Sequence, residues 1–259
     1  MVDTTMAQAQ RMKAPRAVAL CQCFNGALEF QAGHWAESEA SLRESVALYR
    51  QIGAASGEAL ARQQLGVVLT AQEKFDEALD VLEEGTLVAE RAVMRAHCLA
   101  RLYASMARNR LQAGDLDAAD DALSQGLQMS ERHGNCATCD ALLYPVAVSV
   151  RVAQGDLDEA AAFCRRLGEE AAGYGSRTWI AMARQVQGEV AAARGEFDDA
   201  LKAYKKATRA FRQAGFDYEA ARSLEAIAAV RRKRDAPGDR EKADREHREA
   251  SRIYEFLAV

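Results

Sequence analysis

The chain has 259 residues, 49% of them hydrophobic, with 34 basic and 38 acidic side chains and a formal charge of −4. That balance provides no bulk attraction for nucleic acid or an anionic membrane, and no apolar run approaches the roughly 20 residues needed to span a bilayer. Only 3 prolines occur, alanine, leucine, glutamate and arginine dominate, and β-branched runs are scarce, so the composition predicts an all-α protein.

Residues 1–13 are polar and lack the apolar core of a secretory signal. They are expected to be flexible, and the protein is expected to be cytoplasmic. In that compartment its 6 cysteines read as free thiols or metal ligands before structural disulfides.

From residue 14 onward the chain repeats. Gly33-His34-Trp35-Ala36, Glu73-Lys74-Phe75-Asp76, Gly114-Asp115-Leu116-Asp117, Gly155-Asp156-Leu157-Asp158 and Gly195-Glu196-Phe197-Asp198 follow one another at spacings of 40 or 41 residues, and Gly238-Asp239-Arg240-Glu241 follows at 43. Such a period signals stacked supersecondary units. In four of the first five units a glycine can close one helix in the left-handed conformation while the acidic residue after it caps the next. Glu73 must turn without that freedom. Trp35, Phe75, Leu116, Leu157 and Phe197 supply an apolar corner. Ser38, Ala78, Ala119, Ala160 and Ala200 are small, as are Gly26, Gly66, Ala107 and Gly188 seven residues before the turn. Small residues facing small residues across a hairpin predict close helix pairing, with Val148 shifting or widening the fourth.

The spacing predicts helix pairs over about 16–53, 55–92, 94–134, 136–174, 177–215 and 217–257, in one repeat domain spanning 14–258. In the sixth pair Arg231 stands where a small residue is expected, and residues 231–240 form a charged connection with their own breakers. The last helix is charged on most faces, which suits a terminal cap. Its tip is apolar at Ile253, Tyr254, Phe256 and Leu257, and Tyr254, Phe256 and Leu257 make terminal helices the expected route to a homo-oligomer.

These marks resemble the tetratricopeptide repeat, with departures at Asn25, Val148 and Arg240 and with units about six residues longer than the usual 34. The resemblance implies a right-handed α-α superhelix, a solenoid of about six helix pairs, whose first helices line a concave groove. Transferred to this sequence, the groove positions are Cys23, Gln63, Ala104, Pro145 and Gln185, then Ala27, Val67, Arg108, Ser149 and Glu189. Arg101 joins them on a row with Leu20, Leu60, Leu142 and Met182. Pro145 is expected to bend its helix. Arg101 and Arg108 lie two turns apart on one face, where they can hold a carboxylate. The mixture of apolar, small and basic groups resembles a groove for an amphipathic helix or a protein surface.

The cysteines leave several readings open. Cys98 and Cys139 occupy equivalent positions in adjacent repeats, and Cys136 lies one helical turn from Cys139. Cys98, Cys136 and Cys139 with His97 or His133 supply enough ligands for zinc or iron. The same residues can serve as a redox pair or a reactive thiol, Cys136 near a helix start being the favoured nucleophile. Burial as small hydrophobes is the cheaper reading and needs no cofactor.

No nucleotide loop, HExxH or serine-nucleophile motif is present, so no enzyme is expected. The alanine- and arginine-rich style of the repeats resembles helical-repeat regions of large bacterial transcriptional regulators. By that resemblance the chain is a protein- or peptide-binding adaptor without direct contact to nucleic acid, the alternative being a cysteine-based metal or redox sensor.

Overall fold

The computed structural model describes residues 2–257, and the regular structure in them is helical. In chain order the helices are α1 (Val2–Arg11), α2 (Pro15–Ala32), α3 (Trp35–Gln51), α4 (Ala55–Ala71), α5 (Phe75–Ala89), α6 (Arg95–Gln112), α7 (Leu116–Arg132), α8 (Ala137–Gln154), α9 (Leu157–Tyr174), α10 (Arg177–Ala193), α11 (Phe197–Gln213), α12 (Asp217–Arg234) and α13 (Asp239–Leu257). They belong to two compact units, one of Met1–Phe30 with His34–Leu143, the other of Gln31–Gly33 with Tyr144–Val259. Within each unit, helices pack against their chain neighbours, so both are stacks of helical hairpins.

The turns follow from backbone sterics. Gly33, Gly114, Gly155 and Gly195 have φ between 78° and 90°, and Glu73 adopts the same left-handed region at φ 60°. A residue with a Cβ pays roughly 1–2 kcal/mol there. Asp115 and Asp156 accept from the N–H groups of Ala118 and Glu159, closing the first turns of α7 and α9. His34, Lys74 and Glu196, at the corresponding positions, make no side-chain cap.

The first hairpin makes the expected small-on-small contact between Gly26 and Ser38, and large side chains interlock the hairpins further. A Cβ on Gly26 would stand 2.5 Å from Leu42, one on Gly66 would stand 2.5 Å from Leu82, and one on Gly188 would stand 2.9 Å from the Tyr204 ring. Each glycine is thus a socket for a large side chain of the following helix. Leu42 and Leu82 are fully buried. Ser38 tightens the first hairpin by donating from Oγ to the Gly26 carbonyl at 2.7 Å. In the fourth hairpin, buried Val148 takes the glycine position, and the position held by Leu42 and Leu82 elsewhere is Cys164. Bulk has moved from one helix to the other.

Three further elements depart from expectation. The segment expected to be flexible forms α1, because its alanines and glutamines favour helix and Ala9 is buried. The apolar tip of α13 is largely packed: Leu257 is buried, and Ile253 and Tyr254 rest on Ala221, Leu224 and Ala250. Only Phe256 of that patch is exposed, so most of the surface expected to drive oligomer formation is spent within its own unit. Arg231, at the small-residue position of the sixth pair, is buried in an ion network with Asp239 at 3.1 Å and Glu246 at 2.7 Å. Arg234 also binds Asp239, at 2.8 Å, and Arg232 lies 3.5 Å from Asp244. Three of the four residues in the basic run 231–234 are therefore neutralised by acids. None of the described helices is long and apolar enough to cross a membrane.

The substitution Gly66→Ala should cost about 1–3 kcal/mol in urea unfolding, because the added methyl displaces fully buried Leu82. The Arg234 hydrogen bond holds the Asp239 carboxyl well below the usual carboxylate range. Its stabilising contribution is therefore complete at neutral pH and is lost as pH falls below about 4 toward that depressed value. Asp239→Asn should lower Tm at neutral pH and flatten the acid limb of Tm against pH.

Candidate functional site

The site is built in the first unit, where the start of α6 faces the turn between α7 and α8. Gly134 and Asn135 are both left-handed, at φ 85° and 55°. This double reversal brings Cys136 to the start of α8, and the amides of Cys139 and Asp140 donate to its carbonyl at 2.8 and 3.0 Å. Cys136 and Cys139 are then one turn apart on one face. His97 meets both from α6: its Nδ1 is 3.7 Å from Cys136 Sγ and 3.2 Å from Cys139 Sγ. His133 lies beside it with ring centroids 5.2 Å apart and the planes tilted by 56°.

The two thiols are electrostatically unequal. Burial pushes the Cys139 thiol up to about 12, with the neighbouring Cys136 adding to the shift. Burial acts on Cys136 in the same direction, but hydrogen bonds from the Thr138 hydroxyl and the backbone of Cys139 and Thr138 outweigh it and bring that thiol below its ordinary value. Burial, then the charge of Arg101, pulls His97 down, favouring neutral imidazole.

Of the expected cysteines, Cys98 stands outside this group: the three ligand atoms within 4.8 Å of one another belong to His97, Cys136 and Cys139. Adjacent helical residues diverge by about 100°, so the face that turns His97 to the thiols turns Cys98 elsewhere. Cys98 lines a cavity of about 280 Å³ along α2, α4 and α6, together with Leu20, Leu60, Gln63, His97 and Arg101. Arg101 brings a cation into that largely apolar space. Its Nε is shielded from solvent without a hydrogen-bond partner, and burial lowers its pKa. Among the described residues no carboxylate pairs with it. Arg108 is not part of this lining, so the two arginines do not share the cavity. Beside it, α2 leaves Leu20, Phe24 and Leu28 exposed at 40%, 54% and 51%, a stripe at four-residue intervals.

The other polar groove positions are bonded to side chains of neighbouring helices. Gln63 Nε2 donates to Ser105 Oγ at 2.9 Å, Ser149 Oγ to Glu189 at 2.9 Å and Gln185 Nε2 to Ser223 Oγ at 3.2 Å. Cys23 and Pro145 are buried, and Val67 is half-buried. α8 runs through Pro145 as one helix.

This succession of hairpins has a counterpart among known sequences: the family model of the MalT-like TPR region matches residues 15–228. The chain belongs to the MalT-like TPR family. A search of curated proteins finds no match. Among solved structures, one similar to the chain is a Rap protein complexed with Competence and Sporulation Factor, at 15% identity and a TM-score of 0.73, covering 97% of this chain. The chain spans 66% of the length of that protein. BtubC from P. vanneervenii is similar at 17% identity and a TM-score of 0.55, covering 90% of this chain and 92% of its own. At such identities the likeness is one of fold.

For this MalT-like TPR chain, sequence reasoning missed the hydrogen-bonded partners Ser105 and Ser223 and the exposed stripe on α2. Period alone names groove positions; which of them are consumed by neighbours depends on the rotation between successive hairpins. Alternation of Leu20, Phe24 and Leu28 by four residues was the available signal for the stripe.

In reduced, chelator-treated protein, iodoacetamide at neutral pH should alkylate Cys136 well ahead of Cys139, with the Cys136 rate reaching its plateau at lower pH. Peptide mapping by mass spectrometry reads both.

Proposed function

We propose that the chain is a protein-binding module that receives an amphipathic helix on the first unit, with apolar residues along Leu20, Phe24 and Leu28 and one carboxylate reaching Arg101. The observation that carries this reading is the guanidinium of Arg101 in an apolar cavity without an acidic partner. A buried cation is costly unless paired, and an incoming carboxylate satisfies it with a charge-assisted hydrogen bond. The exposed stripe matches the spacing of one helix face, the pattern of helix-in-groove recognition. Family membership supports the reading, as does a fold shared with a Rap protein that is solved in complex with a factor. A role as adaptor within a bacterial regulatory system, in the cytoplasm and without catalysis, follows the same family resemblance.

The test is a panel of synthetic amphipathic helical peptides, each made with one glutamate or with glutamine in its place, titrated by fluorescence anisotropy. A charged hydrogen bond contributes about 1.5–3 kcal/mol. Arg101→Met should therefore weaken the best glutamate peptide about 10- to 100-fold and leave its glutamine twin nearly unchanged, while Phe24→Ser weakens both. Equal binding by wild type and both variants would overturn the assignment.

A further inference from the structure

We infer that His97, Cys136 and Cys139 form a binding site for a thiophilic divalent ion of the zinc type. Tetrahedral zinc, with Zn–S near 2.3 Å and Zn–N near 2.0–2.1 Å, requires sulfur and nitrogen ligands about 3.6 Å apart. The two Sγ to Nδ1 separations, 3.7 and 3.2 Å, bracket that value. The donors come from two segments held by independent constraints, α6 for the histidine and the left-handed Gly134-Asn135 turn for the thiols, and all three ligand atoms lie within 4.8 Å of one another.

The donor set selects the ion. Two thiols and an imidazole suit zinc and its soft or borderline neighbours and reject magnesium and calcium, which need oxygen ligands. On binding, each thiol gives its proton to solvent and its sulfur lone pair to the metal. Two protons leave for each divalent ion, and the ion together with its two thiolates and neutral imidazole carries no net charge, which suits a half-buried place. Three protein donors leave the fourth tetrahedral position to water or an exogenous anion, the pattern of open rather than closed zinc sites. Arg101, one helical turn beyond His97 and lining the same cavity, favours an anion there. Cys98 belongs to the cavity wall and not to the ligand set, which separates this assignment from one based on the cysteine spacing alone. The metal site stands on the trio's geometry and does not depend on the helix-binding reading.

The decisive experiment titrates cobalt(II) into the reduced, metal-free full chain under anaerobic conditions, then adds zinc(II). The expected result is saturation at about one cobalt per chain, with tetrahedral d–d bands and a thiolate-to-cobalt charge-transfer band that zinc abolishes. Second-shell losses alone cost 10–100-fold in affinity, so removing a ligand by Cys136→Ser, Cys139→Ser or His97→Gln should weaken binding by more than about 100-fold. Cys98→Ser should bind like wild type. Half-exposed Cys136 makes Cys136→Ser the variant least able to disturb folding, and far-UV circular dichroism of each metal-free variant verifies it. Absence of the charge-transfer band, unchanged affinity in Cys136→Ser, or loss of binding in Cys98→Ser would each overturn the assignment.

Discussion

Everything in this protein depends on a large side chain seated against a glycine of the preceding helix. Leu42 over Gly26, Leu82 over Gly66 and Tyr204 over Gly188 set how closely two helices of a hairpin approach. No isolated hairpin can bury both apolar sides, so each unit gains its core by stacking hairpins, and the approach distance within one is passed to the next. A socket and its occupant act as a pair: where the fourth hairpin fills the socket with Val148, the position opposite in the pattern carries the smaller Cys164.

Stacking of this kind also decides which polar groups remain for function. First helices of neighbouring hairpins approach closely enough for Gln63 to bond Ser105, for Asn109 to bond Thr70, and for Ser149 to bond Glu189. Those contacts satisfy buried polar atoms that would otherwise cost more than they contribute. Arg101 escapes this arrangement. It remains a half-buried cation in a cavity lined by Leu20, Leu60 and Met94, with its Nε unpartnered.

The connection between α7 and α8 is the other local exception. Its two consecutive left-handed residues, one of them Asn135, create a helix start in which one thiol receives hydrogen bonds and the other is buried. The same turn sets both against His97, giving a half-buried cluster of soft donors beside the cavity that holds Arg101. The first unit thus carries its concentrated chemistry where one turn is irregular, while its regular hairpins supply rigidity.

The period of 40 or 41 residues, the corner residues and the glycine positions specified helix pairs, their order and their family, because those features are local and recur. The CxxC spacing likewise placed Cys136 and Cys139 on one face, since one helical turn separates them. What tertiary structure alone decided was the third donor and the fate of the groove. Cys98 and His97 are adjacent in sequence, and only the rotation of α6 against the α7–α8 turn selects the histidine for the cluster and leaves the cysteine on the cavity wall. Packing between neighbouring helices likewise pairs Gln63 with Ser105 in the first unit and buries Leu257 in the second. The reason is geometric: sequence spacing fixes the face a residue occupies on its own helix, whereas the neighbour it meets depends on how side chains seat between helices, a property of the packed stack as a whole.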